Sequence, residues 1–98
     1  MKIPSDLLDK AISLTHIGIS GFAWLREDAL LLIRYLENQG KFVFGGDVLT
    51  LDSDGYRYNY DNWYFELEDG DTQQSIKYAQ NYIKEYPAGN YAFTLVTA

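Results

Sequence analysis

The sequence predicts an α+β protein in which a small, mainly antiparallel sheet of about four strands packs with three helices, in the order ααβββαβ. Two observations indicate this class. Apolar residues recur with a helical period on both sides of the centre of the chain, whereas the central stretch alternates with the period of a strand. A chain of 98 residues is long enough for one core, and we expect a single domain over residues 1–98.

The first two elements are predicted to be helices. Ser5 is a good N-cap for the first helix, and Gly18 would end it. The second helix, over about residues 22–39, is the stronger prediction, because its apolar residues form one stripe and Gly40 follows as a C-terminal stop. The stripe consists of Leu25, Ala29, Leu32, Ile33 and Leu36.

Three strands are predicted to follow the second helix. Residues 41–51 form a strand interrupted by two glycines, Tyr56–Tyr60 alternates strictly, and residues 63–68 alternate apolar or aromatic with acidic side chains. Asp52–Gly55 is typical of a hairpin turn between the first two strands, because Asp-Gly supplies the positive φ angles of tight turns.

A third helix and a final strand complete the predicted order. Asp71 and Gln74 have the spacing of a capping box at the start of a helix over about residues 72–86, and Pro87 ends it. Residues 91–96 then form the terminal strand.

The negative charge of the chain is concentrated in one segment. The formal net charge is −6, but residues 45–71 contain eight acidic residues and one arginine, for −7 in that segment alone. Such a segment repels nucleic acid and attracts a basic partner. A solvated acidic hairpin that keeps the protein in solution explains the charge equally well.

Composition excludes several classes of protein. The chain is 47% hydrophobic, has no cysteine, and has no apolar run near the about 20 residues of a membrane span. Its N-terminus lacks the apolar stretch and cleavage site of a signal peptide. We expect a cytoplasmic protein that binds neither membrane nor nucleic acid and carries no cofactor.

Residues with catalytic potential are few. His16, the one histidine, has no patterned partner, so a histidine at a helix end or partly packed is favoured over a general base. The central acids offer many carboxylate pairs, which makes them an unspecific indication of a metal site. We predict no catalysis and no metal site. Two alternatives stay open: a small metal-dependent hydrolase that uses Asp47 and Asp61, and an adaptor domain that binds another protein.

The tyrosines of the central segment alternate with charged and polar residues. They could cover the core from one face of the sheet, which suits tyrosine. Together with the acids they could instead bind lysine and arginine side chains through stacking, cation–π contacts and ion pairs. The candidate partner-contact residues are Asp52, Asp54, Tyr58, Tyr60, Tyr64, Glu66 and Glu68.

Two motifs in this segment resemble those of a known family. Gly45-Gly46-Asp47-Val48 follows an apolar strand, and Tyr60-Asp61-Asn62-Trp63 comes soon after. With weaker agreement elsewhere along nearly the whole chain, the sequence resembles the immunity protein 40 family of bacterial polymorphic toxin systems. The resemblance implies a small cytoplasmic antitoxin that binds and blocks a cognate toxin delivered by a neighbouring cell. The acidic segment fits a toxin with a basic surface.

The motif residues themselves are expected to be structural. We expect the glycines to form a bulge or to allow a close approach of backbones. Asp47 would accept hydrogen bonds from backbone N–H groups of residues 61–63, and Trp63 would be buried on the face of Phe65 and Leu67. The motif residues are Gly45, Gly46, Asp47, Val48, Asp61, Asn62 and Trp63.

Overall fold

A long β-hairpin lies at the centre of the fold. The structure, a computed structural model, describes residues 2–98, which form three α-helices and one mainly antiparallel sheet of six strands. The predicted α+β class is confirmed, with six strands rather than about four. The elements are α1 (Ser5–Asp9), β1 (Ile12–Ser13), β2 (Phe22–Leu25), α2 (Arg26–Asn38), β3 (Val43–Asp52), β4 (Gly55–Tyr64), α3 (Thr72–Glu85), β5 (Tyr91–Phe93) and β6 (Val96–Thr97).

The strand order places β4 at an edge of the sheet. The order is β1-β2-β5-β3-β4, and β6 pairs with the first part of β3. β3 is therefore the central strand, whereas β4 pairs with β3 alone.

The first helix is much shorter than the sequence predicts. It ends at Asp9 rather than Gly18, and the chain continues into β1 and a 3₁₀ turn at Thr15–Ile17. The physical reason is that Ile12 and Leu14, two residues apart, are used on one face of the sheet, where Leu14 is buried. Packing against the sheet outweighs the helical spacing of these residues.

The start of the second helix and the division of the later strands also differ from prediction. Residues 22–25 form β2, which pairs with β1 and β5, and α2 begins at Arg26. The two strands predicted over residues 56–60 and 63–68 are one strand, β4, interrupted by a bulge. β4 ends at Tyr64, and a 3₁₀ turn at Leu67–Asp69 leads toward α3.

The two faces of the sheet are covered unequally. α2 and α3 pack on one face around a buried core that includes Trp24, Val48 and Phe93. The opposite face, called here the helix-free face, is covered only in part, by the segment of residues 14–19. Under that segment lie Ala23, Leu49 and Ala92, with Tyr56 and Tyr58 half-buried beside them.

The two adjacent glycines of β3 let the backbone and ring of Trp63, on the neighbouring strand β4, approach β3 closely. The register of β3 with β6 shifts between Val43 and Gly45, and Gly45 has a φ of 149°. A Cβ atom at Gly45 would collide with the carbonyl oxygen of Trp63. A Cβ atom at Gly46 would collide with the carbonyl oxygen of Thr94 and lie 2.5 Å from Cη2 of Trp63. The predicted bulge and close approach are both confirmed.

Trp63 is buried by this arrangement, as predicted. Its ring stacks on that of Tyr82 in α3, with centroids 4.7 Å apart. Phe65 is buried as well, but Leu67 is 68% exposed, so the expectation for Leu67 is wrong. The reason is that β4 ends at Tyr64, and the 3₁₀ turn no longer follows the alternation of a strand.

The bulge in β4 is stabilised by a polar network. Asn59–Asp61 lie opposite a single residue of β3, and Tyr60 has a left-handed φ of 72°. A left-handed conformation of a bulky residue costs about 1–3 kcal/mol, so neighbouring contacts must hold it. Asn59 accepts a 2.9 Å hydrogen bond from the Asp61 N–H and donates to Thr50 and to the hydroxyl of Tyr86.

Tyr86, at the end of α3, closes this network. Its hydroxyl donates a 2.6 Å hydrogen bond to Asp61 Oδ2. Burial, followed by the hydrogen bond to Asp61, raises the pKa of Tyr86 to about 12. The guanidinium of Arg26 donates to the carbonyl oxygens of Ile83, Lys84, Tyr86 and Pro87, which caps α3 and fixes the position of Tyr86.

Gly46→Ala should destabilise the protein strongly. The new methyl group has no space between Trp63 and the Thr94 carbonyl, so we expect the free energy of unfolding to fall by about 3 kcal/mol. Urea denaturation followed by tryptophan fluorescence measures this. Gly21→Ala is the matched control, because its Cβ atom would make only an ordinary 3.6 Å contact with Ile19. Equal stability of the two variants would contradict the close packing.

Tyr86→Phe should lower stability by about 1–2 kcal/mol, because it removes the donor to Asp61. The folded-state pKa of about 12 lies above the ordinary 10.0, so this hydroxyl stabilises the fold fully below pH 10. That contribution is lost as the pH rises from 10.0 toward about 12.

The stability difference between wild type and Tyr86→Phe should therefore shrink over this alkaline range, as measured by urea denaturation at a series of pH values. Tyr35→Phe, a half-buried tyrosine on α2 outside the network, is the control. A difference that stays constant with pH would argue against a titrating network.

Candidate functional site

The predicted contact tyrosines lie on the edge strand β4. Tyr60 and Tyr64 are 90% and 71% exposed, whereas Tyr58 is half-buried against Ile17 and Ile19. A shallow groove of about 240 Å³ runs between these isoleucines and the strand. The groove is lined by Ile17, Ile19, Arg57, Tyr58 and Tyr60. The edge of the sheet thus presents two large aromatic side chains to solvent.

The predicted contact acids lie at the two ends of this strand. Asp52 and Asp54 belong to the hairpin turn, where each pairs with Arg57, at 3.4 and 3.8 Å. Glu66 and Glu68 follow the other end of β4 and are exposed. Ten residues of strand span about 30 Å, so the structure separates the two acid pairs and places the exposed tyrosines between them.

The two ends differ in their electrostatics. At the hairpin turn, Arg57 neutralises part of the charge of two aspartates. At the other end the carboxylates crowd one another: a hydrogen bond with Glu68 and repulsion from Glu68 and Asp69 raise the pKa of Glu66. The less compensated negative charge therefore lies beyond Tyr64.

Asp47 has a different partner from the one the sequence predicts. Its backbone N–H donates a 2.8 Å hydrogen bond to Thr94 Oγ1, and its carbonyl accepts one from the Thr94 N–H. The carboxylate lies 3.5 Å from the same hydroxyl. The expectation that it binds backbone N–H groups of residues 61–63 is therefore wrong, because Asp47 bonds instead to Thr94, which follows β5 on the other side of β3.

Asp47 and Asp61 lie on opposite faces of the sheet. Asp47 is directly opposite Asn62, so the adjacent Asp61 points to the other face, where it binds Tyr86. On the helix-free face, burial and then the charge of Asp47 raise the pKa of Tyr58. The hydrolase alternative needs these two carboxylates side by side, and the fold does not place them so. Among residues 2–98 no group of three or more acids or histidines is spaced to hold a metal ion.

His16 links the covering segment to the hairpin. Its Nε2 lies 2.6 Å from the carbonyl oxygen of Tyr56, to which it donates, and its ring packs against Gly55. This contact fixes residues 14–19 across the end of β4 and so forms one wall of the groove.

Two residues that position the site were missed in the sequence. Tyr86 supports the bulge from 25 residues beyond Asp61, and Thr94 binds Asp47 from 47 residues away. Neither has a local pattern that identifies its partner, since both contacts arise from strand order and helix packing. The one signal in the sequence was indirect, because Tyr86 is the last residue of the predicted third helix, directly before Pro87.

No helix within residues 2–98 combines the length and the apolar character needed to cross a membrane.

Comparison with known proteins identifies the family. The model of the family described as Immunity protein 40 matches residues 13–97, from β1 into β6. No curated protein and no solved structure matches the chain. The matched range contains both motifs, so the bulge-forming glycines, Asp47 and the Tyr60–Trp63 segment all fall within it. The chain belongs to the Immunity protein 40 family.

Proposed function

We propose that this protein is the antitoxin of a bacterial polymorphic toxin system, which binds a cognate toxin in the cytoplasm and blocks it without catalysis. Membership of an immunity protein family implies an antitoxin role and a toxin as partner. Stoichiometric binding needs a recognition surface and no catalytic group. The proposed role therefore requires an exposed surface that can bind another protein.

The exposure of two tyrosines on the edge strand is the observation that carries the proposed surface. Tyr60 and Tyr64 expose 90% and 71% of their area on a strand that has one neighbour. Tyrosine is among the residues that contribute most when an interface buries them, because it adds a large apolar area and a hydroxyl at low entropic cost. The bulge network holds one of the two outward at an energetic cost, which a role in binding explains.

The charge around these tyrosines indicates the chemistry of the partner. Residues 45–71 carry a net charge of −7, and acids flank the tyrosines at both ends of β4. Such a field raises the association rate of a basic toxin surface. The same field repels a second copy of this chain.

Co-expression with the toxin domain encoded immediately upstream tests the function. We expect wild-type protein to restore growth of cells that produce the toxin and to co-purify with it as a stable 1:1 complex. Size-exclusion chromatography with light scattering gives the stoichiometry. Cells that are not protected at a confirmed level of expression, together with no complex, would contradict the proposal.

Charge reversal at the ends of β4 should slow binding. Lysine at all four of Asp52, Asp54, Glu66 and Glu68 should lower the association rate by about tenfold or more at low salt and weaken its salt dependence. The Glu66 and Glu68 pair should account for more of the loss, because Arg57 already neutralises part of the other pair. Biolayer interferometry at two salt concentrations measures this.

A variant with lysine at Asp6, Asp9, Glu27 and Glu37 makes the same change of net charge and is the control, since these exposed residues lie on α1 and α2, away from β4. If the fourfold variant associates as fast as wild type and protects cells equally at matched expression, the docking surface lies elsewhere.

A further inference from the structure

Part of the helix-free face is uncovered and forms two rows of side chains. In the first row, Gly45 lies between Tyr64 on β4 and Val96 on β6. In the second row, Asp47 lies between Asn62 on β4 and Thr94 after β5. The covering segment of residues 14–19 packs instead over Leu49 and Ala92, which lie further along the sheet.

The buried residues that precede Tyr64 and Val96 in the chain confirm the direction of these two side chains. Trp63 and Leu95 are buried in the core on the helix side, so the residues next to them in the chain point to the helix-free face. Tyr64 is 71% and Val96 53% exposed there. Gly45, which has no side chain, is buried between the tyrosine and the valine, and Asp47 follows two residues further along the strand.

Asp47 is a half-buried carboxylate with weak compensation. Its one side-chain hydrogen bond, from Thr94, is 3.5 Å long. The ion pairs found within residues 2–98 involve other aspartates: Asp28, Asp52 and Asp54. A carboxylate in partial burial gains most from a cation that approaches from the open side.

The spacing and chemistry of these two rows fit a basic side chain. Residues two apart on a strand are about 7 Å apart, a distance that the aliphatic stem of lysine or arginine covers. A stem lying over Gly45, against the exposed faces of Tyr64 and Val96, would bring its charged group to Asp47. Asn62 and Thr94 lie in the same row as Asp47 and carry side-chain oxygens that can act as further acceptors, and the tyrosine ring can add a cation–π contact.

We propose that the uncovered part of the helix-free face, centred on Asp47, receives a lysine or arginine side chain of the cognate toxin. This inference rests on the proposed function and extends it, because it assigns a contact role to the aspartate of the Gly-Gly-Asp-Val motif. A second copy of the chain is a poor occupant, since its net charge of −6 offers mainly like charge.

The first test is Asp47→Asn, which keeps the shape of the side chain and an oxygen near the Thr94 hydroxyl. We expect an unchanged melting temperature and a complex with the upstream-encoded toxin domain that is weakened by at least about tenfold. Biolayer interferometry measures the affinity, and Asp9→Asn, at the exposed end of α1, removes the same charge as a control. Equal affinity of wild type and Asp47→Asn for the toxin would overturn the inference while leaving the proposed function intact.

The second test does not depend on the toxin. Arginine amide is titrated into ¹⁵N-labelled protein, and the shifts of backbone resonances locate its binding site. We expect the largest changes at residues 45–47, 62–64 and 94–96, and their loss in Asp47→Asn. Changes confined to the hairpin turn or to residues 66–69 would overturn the inference, as would a dimer of the chain that Tyr64→Ala dissociates.

Failure of the proposed function gives a different result from failure of this inference. A toxin domain that neither binds nor is neutralised by wild type removes the proposed function. The arginine amide titration then still decides whether this face binds a basic side chain.

Discussion

The indole of Trp63 packs directly on the backbone of Gly46, a contact that exists because the glycine has no side chain. This contact places Trp63 on the helix side, where Tyr82 stacks against it and joins the hairpin to α3. Alternation along β4 then places Asn62 and Tyr64 on the opposite face. The exposure of Tyr64 is therefore a consequence of how the buried tryptophan is accommodated. In this way the Gly45–Val48 motif and the Tyr60–Trp63 motif depend on each other.

The bulge in β4 adds a second constraint, and this one costs free energy. Glycine makes the approach at Gly46 possible without strain, whereas Tyr60 occupies a left-handed conformation that costs free energy. The hydrogen bonds of Asn59 and Tyr86 offset that cost, and Arg26 holds the helix end from which Tyr86 extends. The conformation of one exposed residue thus depends on contacts from α2 and α3. A surface supported in this way is preorganised, which reduces the entropy lost on binding.

Sequence patterns predicted those features that depend on neighbours in the chain. The capping box of Asp71 and Gln74 forms as expected, as do the third helix and the close approach at the paired glycines. The predicted length of the first helix was wrong, because Leu14 gains more by burial against the sheet than by continuing a helix. The partners of Asp47 and Asp61 were not predictable, since Thr94 and Tyr86 reach them through strand order and helix packing. The composition of the central segment identified the candidate acids. The distance between the two acid pairs was not predicted, because it follows from β4 being one continuous strand.

The position of β4 at the edge of the sheet has a consequence for how such proteins diverge. Tyr60 and Tyr64 are exposed on a strand with one neighbour, so their replacement opens no cavity in the core and breaks no contact with a second strand. Tyr60 and Tyr64 can therefore be exchanged for other residues while Trp63 and the glycines keep the architecture unchanged. Mutation can therefore change the docking surface proposed for this edge at little cost in stability. Within the family, the side chains of this edge and the residues that hold the fold together are then free to evolve at different rates.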